Sequence, residues 1–233
     1  MGPGSVLHRR QTGRVAILEM NRPERRNAID EALLAALRSG LAALERDPSV
    51  GAVVLTGAGG AFSSGADLPG GPHGAGPAGA GLDMDAFARL YEAVTAFPKP
   101  AVAAIAGPCI GAGAEVAACC DLRVGAPGAT IRFPGAQFGV PVGAARLPAL
   151  IGVSHAKDLL MTSRSVGAEE AYRIGFLNRL VPEAELEPAA VGLATALAAL
   201  PGAVGQKRLV DEACGLTARA RTESRALRRW LRP

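Results

Sequence analysis

Two short glycine-framed segments carry the residues of this chain that are best suited to chemistry. Residues 61–68 read Ala-Phe-Ser-Ser-Gly-Ala-Asp-Leu and residues 109–116 read Cys-Ile-Gly-Ala-Gly-Ala-Glu-Val, with about forty residues between them. Glycine has no Cβ, so at Gly65 and Gly111 the main chain can turn sharply and present its N–H groups to a ligand. Two N–H groups aimed at one oxygen form an oxyanion hole, in which the loss of a single donor costs roughly 10²–10³ in rate. The pattern therefore indicates a site that stabilises an enolate or a tetrahedral oxyanion.

Glu115 is the acidic residue that accompanies this pattern. It follows Ala112 by three residues and is flanked by alanine and valine. A carboxylate in such surroundings loses hydration, so its pKa should rise toward neutrality unless an arginine compensates, and a raised pKa suits a residue that carries protons. The alternative is a structural glutamate paired with Arg123 or Arg132. Glu115 lies three residues after Ala112, whose N–H is the proposed oxyanion donor, and this position favours the catalytic role.

The elements that must position these residues alternate between strand-like and helix-like runs, which predicts an α/β chain. Short apolar runs typical of buried strands lie at 14–20, 50–56, 101–106 and 121–124, with a weaker fifth at 130–133. Leucines at helical spacing predict a helix between Asp30, its cap, and Asp47. The stretch 70–81 is rich in Gly, Pro and Ala and holds His73, so it predicts a surface loop.

Four segments, in the same order along the chain, resemble the conserved motifs of the crotonases, the enoyl-CoA hydratase/isomerase superfamily. They are Asn-Arg-Pro-Glu-Arg-Arg-Asn-Ala at 21–28, the glycine-framed stretches 61–68 and 100–121, and the Ala-Tyr-Arg-Ile-Gly-Phe-Leu-Asn-Arg-Leu-Val run within 168–181. The resemblance covers nearly the whole chain. It implies an α/β fold of a particular form, a crotonase-like spiral of ββα units followed by a helical C-terminal region.

The resemblance also implies the domain organisation. We expect one crotonase-like domain over residues 6–233, with the spiral core at 6–180 and C-terminal helices, shorter than in many relatives, at 181–233. A chain of 233 residues with 49% apolar composition can bury one substantial core, and no linker-like stretch divides it. Residues 1–5 read like a cloning scar. Because relatives are trimers or pairs of trimers, a homotrimer or hexamer is expected.

Individual site residues follow from the resemblance. Glu115 matches one of the two catalytic glutamates of the hydratases, and the N–H groups of Ala66 and Ala112 match the oxyanion hole for the thioester oxygen. The residues expected to contact the acyl-CoA substrate are Arg25, Ala28, Asp67, Leu68, Gly111, Gly135 and Val140. Coenzyme A is then part of the substrate, and no separate cofactor and no metal ion are expected.

The second catalytic glutamate of the hydratases is missing. In the family it follows a proline after a core strand, but here residues 133–135 read Phe-Pro-Gly and no nearby acid in the sequence replaces it. Asp85, Gln137 and Arg146 stay open as substitutes after folding. A positioned acid or base is worth roughly 10²–10⁴ in rate, so a chain that relies on Glu115 alone should hydrate simple enoyl thioesters poorly.

Two functions are therefore predicted as alternatives. The first is an acyl-CoA enzyme of the hydratase/isomerase class, with a backbone oxyanion hole and Glu115 as acid and base. The second is a non-catalytic acyl-CoA-binding protein that kept the pocket and lost the chemistry with the glutamate that Gly135 replaces.

Other interpretations of the glycine-rich stretch are weaker. Residues 53–60 resemble a dinucleotide-binding turn, but Phe62 stands where the third glycine of Gly-x-Gly-x-x-Gly belongs. Ser63 and Ser64 lack the Gly-x-Ser-x-Gly elbow of the serine hydrolases.

Composition argues against several classes of protein. The formal net charge is +4, but the basic residues are scattered outside 219–232 and aromatic residues make up only 4% of the chain, so nucleic-acid binding is not expected. No apolar run reaches about 18 residues, which predicts no membrane span. The N-terminus shows no secretory signal pattern, and the four cysteines form no Cys-x-x-Cys pair. We therefore predict a cytoplasmic protein with ordinary reduced thiols.

Overall fold

The computed structural model describes residues 5–68, 83–140 and 142–230, with side chains up to residue 225. The loop predicted at 70–81, with His73, lies outside the described residues, as do the first four residues of the predicted cloning scar.

Nine strands in the described residues form two sheets. The strands are β1 Leu7–Thr12, β2 Val15–Met20, β3 Ala52–Gly57, β4 Ala101–Ile105, β5 Pro108–Ile110, β6 Leu122–Gly125, β7 Thr130–Arg132, β8 Ser165–Gly167 and β9 Arg179–Leu180. The larger sheet has the order β1-β2-β3-β4-β6-β9, and the smaller has the order β5-β7-β8. In the larger sheet β1 is antiparallel to β2, and all other neighbours are parallel. In the smaller sheet β5 is parallel to β7, and β8 is antiparallel to it.

Eight α-helices surround these sheets in the described part of the chain. They are α1 Glu31–Arg46, α2 Met84–Thr95, α3 Ala112–Cys119, α4 Leu147–Thr162, α5 Ala168–Arg173, α6 Leu186–Ala199, α7 Ala203–Ala213 and α8 Leu216–Trp230. Short 3₁₀ turns occupy Pro23–Arg25, Pro134–Phe138 and Glu183–Glu185.

Helix α1 confirms the prediction from the leucine spacing. The Asp30 carboxylate accepts a hydrogen bond from the Leu33 N–H at 2.8 Å and so caps the first turn. The leucines of one face are buried in the core: Leu33, Leu34, Leu37, Leu41 and Leu44. The capped start of α1 fixes the end of the preceding turn, which carries the first of the four motifs.

The chain repeats a unit of one strand in each sheet followed by a helix. β4, β5 and α3 form one unit, and β6, β7 and α4 form the next. In the unit that begins with β3, an isolated bridge between Ser63 and Cys109 takes the place of the second strand. The predicted spiral of ββα units followed by helices is confirmed. Because β3 and β4 are parallel neighbours, their carboxyl ends lie at one edge of the sheet, and the segments that follow them meet there.

Four strands were not predicted from the sequence, for two physical reasons. β1 reads Leu-His-Arg-Arg-Gln-Thr and is mostly exposed at the edge of the larger sheet, so its sequence contains no apolar run. β5, β8 and β9 have three, three and two residues, which is too short for a periodicity to show. The predicted runs form β2, β3, β4 and β6, and the weaker fifth forms β7.

The C-terminal helices pack on the same chain. Helix α6 covers the larger sheet with Ala190, Leu193 and Ala194. Helix α8 lies against α2, where the Ser224 hydroxyl is 3.2 Å from Glu92 Oε1. The arginine-rich region after residue 219, whose packing the sequence left open, therefore begins on its own subunit. No single described helix is long and apolar enough to cross a membrane, and 183–199 with 203–213 reaches that length and composition only as a pair bent by 97°.

Candidate active site

The segments that follow β3 and β5 run side by side. The Ser63 N–H donates to the Pro108 carbonyl and the Ile110 N–H donates to the Ser63 carbonyl, both at 2.9 Å. Gly65 has a φ of +103° and Gly111 has a φ of +53°, conformations that favour glycine. A Cβ at Gly65 would lie 2.9 Å from the Ile110 carbonyl oxygen, so no other residue fits there without displacing main chain. The sharp turns expected at the two glycines are present.

Asn27, in the turn before α1, ties that turn to the segment after β3. Its side-chain nitrogen donates to the carbonyls of Ala58 and Ala61 at 2.9 and 2.8 Å, and its side-chain oxygen accepts the Arg22 N–H at 2.9 Å. Asn27 is fully buried and has a φ of +55°, which asparagine tolerates better than most residues. The Ser63 hydroxyl donates to the main-chain carbonyl of Asn27 at 2.8 Å. Sequence reasoning missed this role, although an asparagine inside a turn motif was a usable signal.

Ala66 and Ala112 present their backbone N–H groups at the junction of the two segments. Ala112 is the first residue of α3, where an N–H has no partner within the helix. Neither this N–H nor that of Ala66 donates to an acceptor among the described residues. A Cβ at Gly65 would lie 3.6 Å from the Ala112 nitrogen, so the residue before Ala66 is in close contact with the second donor. Both N–H groups are therefore available to an acceptor bound between the segments.

A cavity of about 440 Å³ opens at this junction. Its wall includes every residue predicted to form the oxyanion hole or to contact the substrate: Ala66, Ala112, Arg25, Ala28, Asp67, Leu68, Gly111, Gly135 and Val140. Sequence reasoning missed the apolar part of the wall, which includes Met84, Phe87, Tyr91, Phe138 and Val142. Three of these come from α2, whose place over the site depends on the packing of the spiral. That the wall binds a substrate stays a prediction.

Charged side chains contribute to the cavity wall. The basic residues Arg25, Arg26 and Arg132 line it together with the acidic residues Glu24 and Asp67. The carboxylate of Asp67 is held by Arg22, whose Nη2 lies 2.9 Å from Asp67 Oδ2, so this side chain braces the turn against the first glycine-framed segment. Guanidinium groups suit phosphate oxygens. The wall therefore combines an apolar region with arginines placed to meet an anionic part of a ligand.

The 3₁₀ turn Pro134–Phe138 leaves no room for a side chain at Gly135. A Cβ there would clash with the Val140 carbonyl oxygen and would lie 3.1 Å from the Val142 Cγ2 atom. The Val140 N–H donates to the Gly135 carbonyl at 2.8 Å, which closes the chain back on the glycine. The space that a second glutamate would need beside Gly135 is thus filled by main chain.

Glu115 lies behind the cavity, outside the residues that form its wall. It is fully buried, and neither carboxyl oxygen has a hydrogen-bond partner in the described part of the chain. Its Oε2 is 3.8 Å from Arg146 Nη1. The alternative of a structural pairing with Arg123 or Arg132 is not what the described residues show. These guanidinium groups bind the carbonyls of Cys120 and Ser163, at 2.7 and 2.8 Å, where α3 and α4 end.

Arg146 is shared between two buried carboxyl groups. Its Nη1 lies 3.5 Å from Glu223 Oε1, and Glu223 Oε2 accepts the Ala145 N–H at 2.7 Å. The sequence offered Asp85, Gln137 and Arg146 as possible substitutes for the second glutamate. Arg146 lies next to Glu115 in the structure. No acid near Gly135 in the sequence replaces that glutamate, and the acid that shares Arg146 with Glu115 is Glu223, from the C-terminal helix. Sequence reasoning missed Glu223, because nothing in the pattern of α8 distinguishes it from its other polar residues.

The pKa values of this cluster follow from burial. Loss of hydration raises the pKa of Glu115 to about 8, the charge of Glu223 adds to the rise, and Arg146 opposes it. Burial also raises the pKa of Glu223, against the effect of main-chain N–H groups and Arg146. The rise at Glu115 has the direction expected from its neighbours in the sequence. Burial therefore favours the protonated form of Glu115.

The described residues contain no group of three or more His, Cys, Asp or Glu side chains placed to hold a metal ion. All four cysteines are free thiols: Cys109, Cys119 and Cys120 are buried, and Cys214 is half-buried. That the protein needs neither a metal ion nor a separate cofactor stays a prediction.

Known proteins were compared with the chain in sequence and in structure. The family model described as Enoyl-CoA hydratase/isomerase matches residues 10–226. The Mycobacterium tuberculosis protein named "Probable enoyl-CoA hydratase echA6" is 39% identical over 173 residues, which cover 73% of this chain and 68% of that protein. The structure of an enoyl-CoA hydratase from Bacillus anthracis matches with a TM-score of 0.81 at 27% identity, over 97% of this chain and 90% of that one.

A second solved structure carries the name of a different reaction. A monofunctional enoyl CoA isomerase from M. smegmatis matches with a TM-score of 0.77 at 31% identity, over 91% of this chain and 94% of that one. The family model matches residues 10–226, and the two solved structures cover 97% and 91% of the chain. This chain belongs to the enoyl-CoA hydratase/isomerase family of enzymes, the crotonase superfamily that its motifs resemble.

Proposed function

We propose that this chain is an acyl-CoA enzyme that stabilises a thioester enolate. The observation that carries the proposal is the pair of N–H groups on Ala66 and Ala112, which adjoin one cavity and donate to no described acceptor. A thioester oxygen between them would accept two hydrogen bonds, and these strengthen as negative charge develops on the oxygen. The α-carbon of the acyl group then becomes more acidic, and the β-carbon of an enoyl group becomes more electrophilic.

The division of the wall supports one orientation of the ligand. The acyl group would lie among the apolar side chains of α2, near Phe87 and Tyr91, while the CoA phosphates would lie toward Arg25. By the resemblance to the crotonases, main chain around 66–68 would contact the adenine of coenzyme A. This orientation places the thioester between the apolar and the cationic parts of the wall.

Glu115 is the proposed proton carrier. Because burial raises its pKa to about 8, Glu115 would be a stronger base than an ordinary glutamate. Its ionised form would take a proton from the acyl chain, which leaves the enolate, and the acid so formed would return that proton to an enolate carbon. Gly143 packs closely against Glu115, since a Cβ there would lie 2.8 Å from Glu115 Oε1 and 2.7 Å from Leu160 Cδ2. Val142, which precedes Gly143, lines the cavity. Only a residue without a side chain therefore fits between the carboxyl group and this part of the wall.

The proposed chemistry requires one proton carrier rather than two. In a hydration, water adds its oxygen to Cβ and a proton adds to Cα, which hydratases of the family achieve with two glutamates. With main chain beside Gly135 and one acid next to the oxyanion donors, slow hydration of simple enoyl thioesters is expected. Reactions that move a single proton at the enolate suit this site better.

The second candidate is an acyl-CoA-binding protein without turnover. Two observations favour it: Glu115 lies outside the cavity wall, and the turn at Gly135 has closed over the place of the second glutamate. The oxyanion segments are compatible with either function, because they would bind a thioester whether or not it reacts.

The deciding experiment follows the loss of enoyl-thioester absorbance with crotonyl-CoA and with branched and longer enoyl-CoAs. The wild type is compared with Glu115→Gln and with Glu45→Gln, a matched control on the exposed side of α1. Turnover that only Glu115→Gln abolishes supports the enzyme. If calorimetry shows thioester binding but no substrate reacts, the binding protein is supported instead. If no thioester binds, both candidates are wrong.

We also propose a homotrimer or hexamer. Exposed apolar side chains support an assembly, among them Val153 and Met161 on α4 and Tyr172 on α5, which are 59%, 73% and 52% exposed. Sedimentation equilibrium measures the assembly directly. A monomeric mass at micromolar concentration contradicts this proposal.

A further inference from the structure

We propose that Glu223, on the C-terminal helix α8, is a positioning residue that keeps Glu115 in its acid form by holding Arg146 away from it. The catalytic consequence rests on the proposed function, but the protonation of Glu115 does not. Two glutamates far apart in the sequence would then divide the work, with Glu115 carrying the proton and Glu223 carrying the negative charge.

The contacts of Arg146 fix its guanidinium group. Nη1 lies 3.5 Å from Glu223 Oε1, Nε lies 3.3 Å from the Thr95 hydroxyl, and Cζ lies 5.8 Å from the centre of the Tyr91 ring. The shortest distance to Glu115 is 3.8 Å, which is too long for a hydrogen bond. The cation is therefore bound by other groups and only partly compensates a charge on Glu115.

The charges of the cluster decide where a proton resides. Two ionised carboxylates and one guanidinium would leave a net charge of −1 among groups that are 8% exposed or less. An uncompensated buried charge is costly, so the cluster retains one proton. Glu223 accepts a hydrogen bond from the Ala145 N–H at 2.7 Å and lies next to Arg146, whereas Glu115 accepts no hydrogen bond from a described residue. Hydrogen bonds stabilise the ionised form, which places the proton on Glu115.

The other groups that face this cluster do not change the assignment. Burial raises the pKa values of Tyr91, Cys109 and Cys119, so these side chains are neutral near pH 7. Glu92, on α2, accepts a hydrogen bond from Ser224 beside Glu223. Arg146 and Glu223 are thus the charged groups whose interaction with Glu115 sets its protonation.

The test measures the protonation of Glu115 directly and needs no substrate. Infrared spectroscopy detects the C=O stretch of a protonated carboxyl group, and the band that disappears in Glu115→Gln belongs to Glu115. In the wild type we expect this band at pH 7 and its loss near pH 8. In Glu223→Gln we expect the midpoint to move down by at least one pH unit, a tenfold change in the acid dissociation constant, because Arg146 is then free to pair with Glu115.

Two further variants keep the test decisive. Glu223→Gln retains an oxygen that can accept the Ala145 N–H, and its folding is checked by thermal unfolding. If it does not fold, Arg146→Gln serves instead, and its midpoint should move up rather than down. Glu92→Gln is the matched control on α2, and its midpoint should equal that of the wild type.

The outcomes separate this inference from the proposed function. It is supported by a downward shift in Glu223→Gln or an upward shift in Arg146→Gln, with no shift in Glu92→Gln. It is overturned if Glu115 is ionised at pH 7 in the wild type or if the variant tested keeps the wild-type midpoint. If the variants show these shifts but the wild type turns over no thioester, the proposed function is refuted and this inference stands.

Discussion

Replacing Glu115 with glutamine should raise the stability of this protein relative to the wild type progressively as the pH rises from acid to alkaline values. The carboxyl group has an ordinary pKa of 4.5 when exposed and a pKa of about 8 when folded. Between these values the unfolded chain releases the proton and the folded chain keeps it, so the free energy of unfolding falls as the pH rises from about 4.5 to 8. A difference of about 3.5 pH units corresponds to up to about 5 kcal/mol. Glutamine has nearly the same shape but cannot ionise, so the free energy of unfolding of the variant lacks this fall with rising pH.

The assay is urea unfolding of the wild type, Glu115→Gln and the control Glu45→Gln, followed by circular dichroism at several values between pH 5 and pH 9. A buried amide without partners adds a constant offset, so the informative quantity is the slope of the stability difference with pH. We expect a difference that grows toward alkaline pH by up to about 5 kcal/mol in Glu115→Gln and stays flat in Glu45→Gln. A stability difference independent of pH would refute the argument that Glu115 is held protonated by burial.

Three further predictions concern Gly135, Asn27 and Arg25. Gly135→Ala places a methyl group against the Val140 carbonyl oxygen, so the free energy of unfolding in urea should fall by about 1–3 kcal/mol. The control is Gly192→Ala, within α6 and free of close contacts, which should stabilise the protein by about 0.5–1 kcal/mol. Asn27→Ala removes three hydrogen bonds and leaves an alanine at a φ of +55°, so thermal unfolding should show a loss of several kcal/mol; an unchanged Tm contradicts its bracing role. Arg25→Gln should weaken calorimetric binding of coenzyme A about 3- to 10-fold at low salt and less at high salt, and equal affinities at both salts count against a phosphate contact.

The local features of this site could be predicted because short-range rules govern them. The cap at Asp30, the leucine face of α1 and the turns at Gly65 and Gly111 depend on main-chain sterics and on residues within a few positions. The family followed from the order of such features along the chain. Edge strand β1 and the very short strands escaped, because burial and partner strands, rather than their own composition, make them strands.

The sequence by itself determined the oxyanion segments, the absence of a glutamate at Gly135 and the apolar neighbours of Glu115. Only the tertiary structure decided which charges surround that glutamate. Arg123 and Arg132, close along the chain, bind carbonyls at helix ends, whereas Arg146 and Glu223 reach the cluster from a loop and from the C-terminal helix. The physical reason is that a buried charge is compensated by whatever the packing of the helices brings within a few ångströms, and sequence distance does not measure that separation.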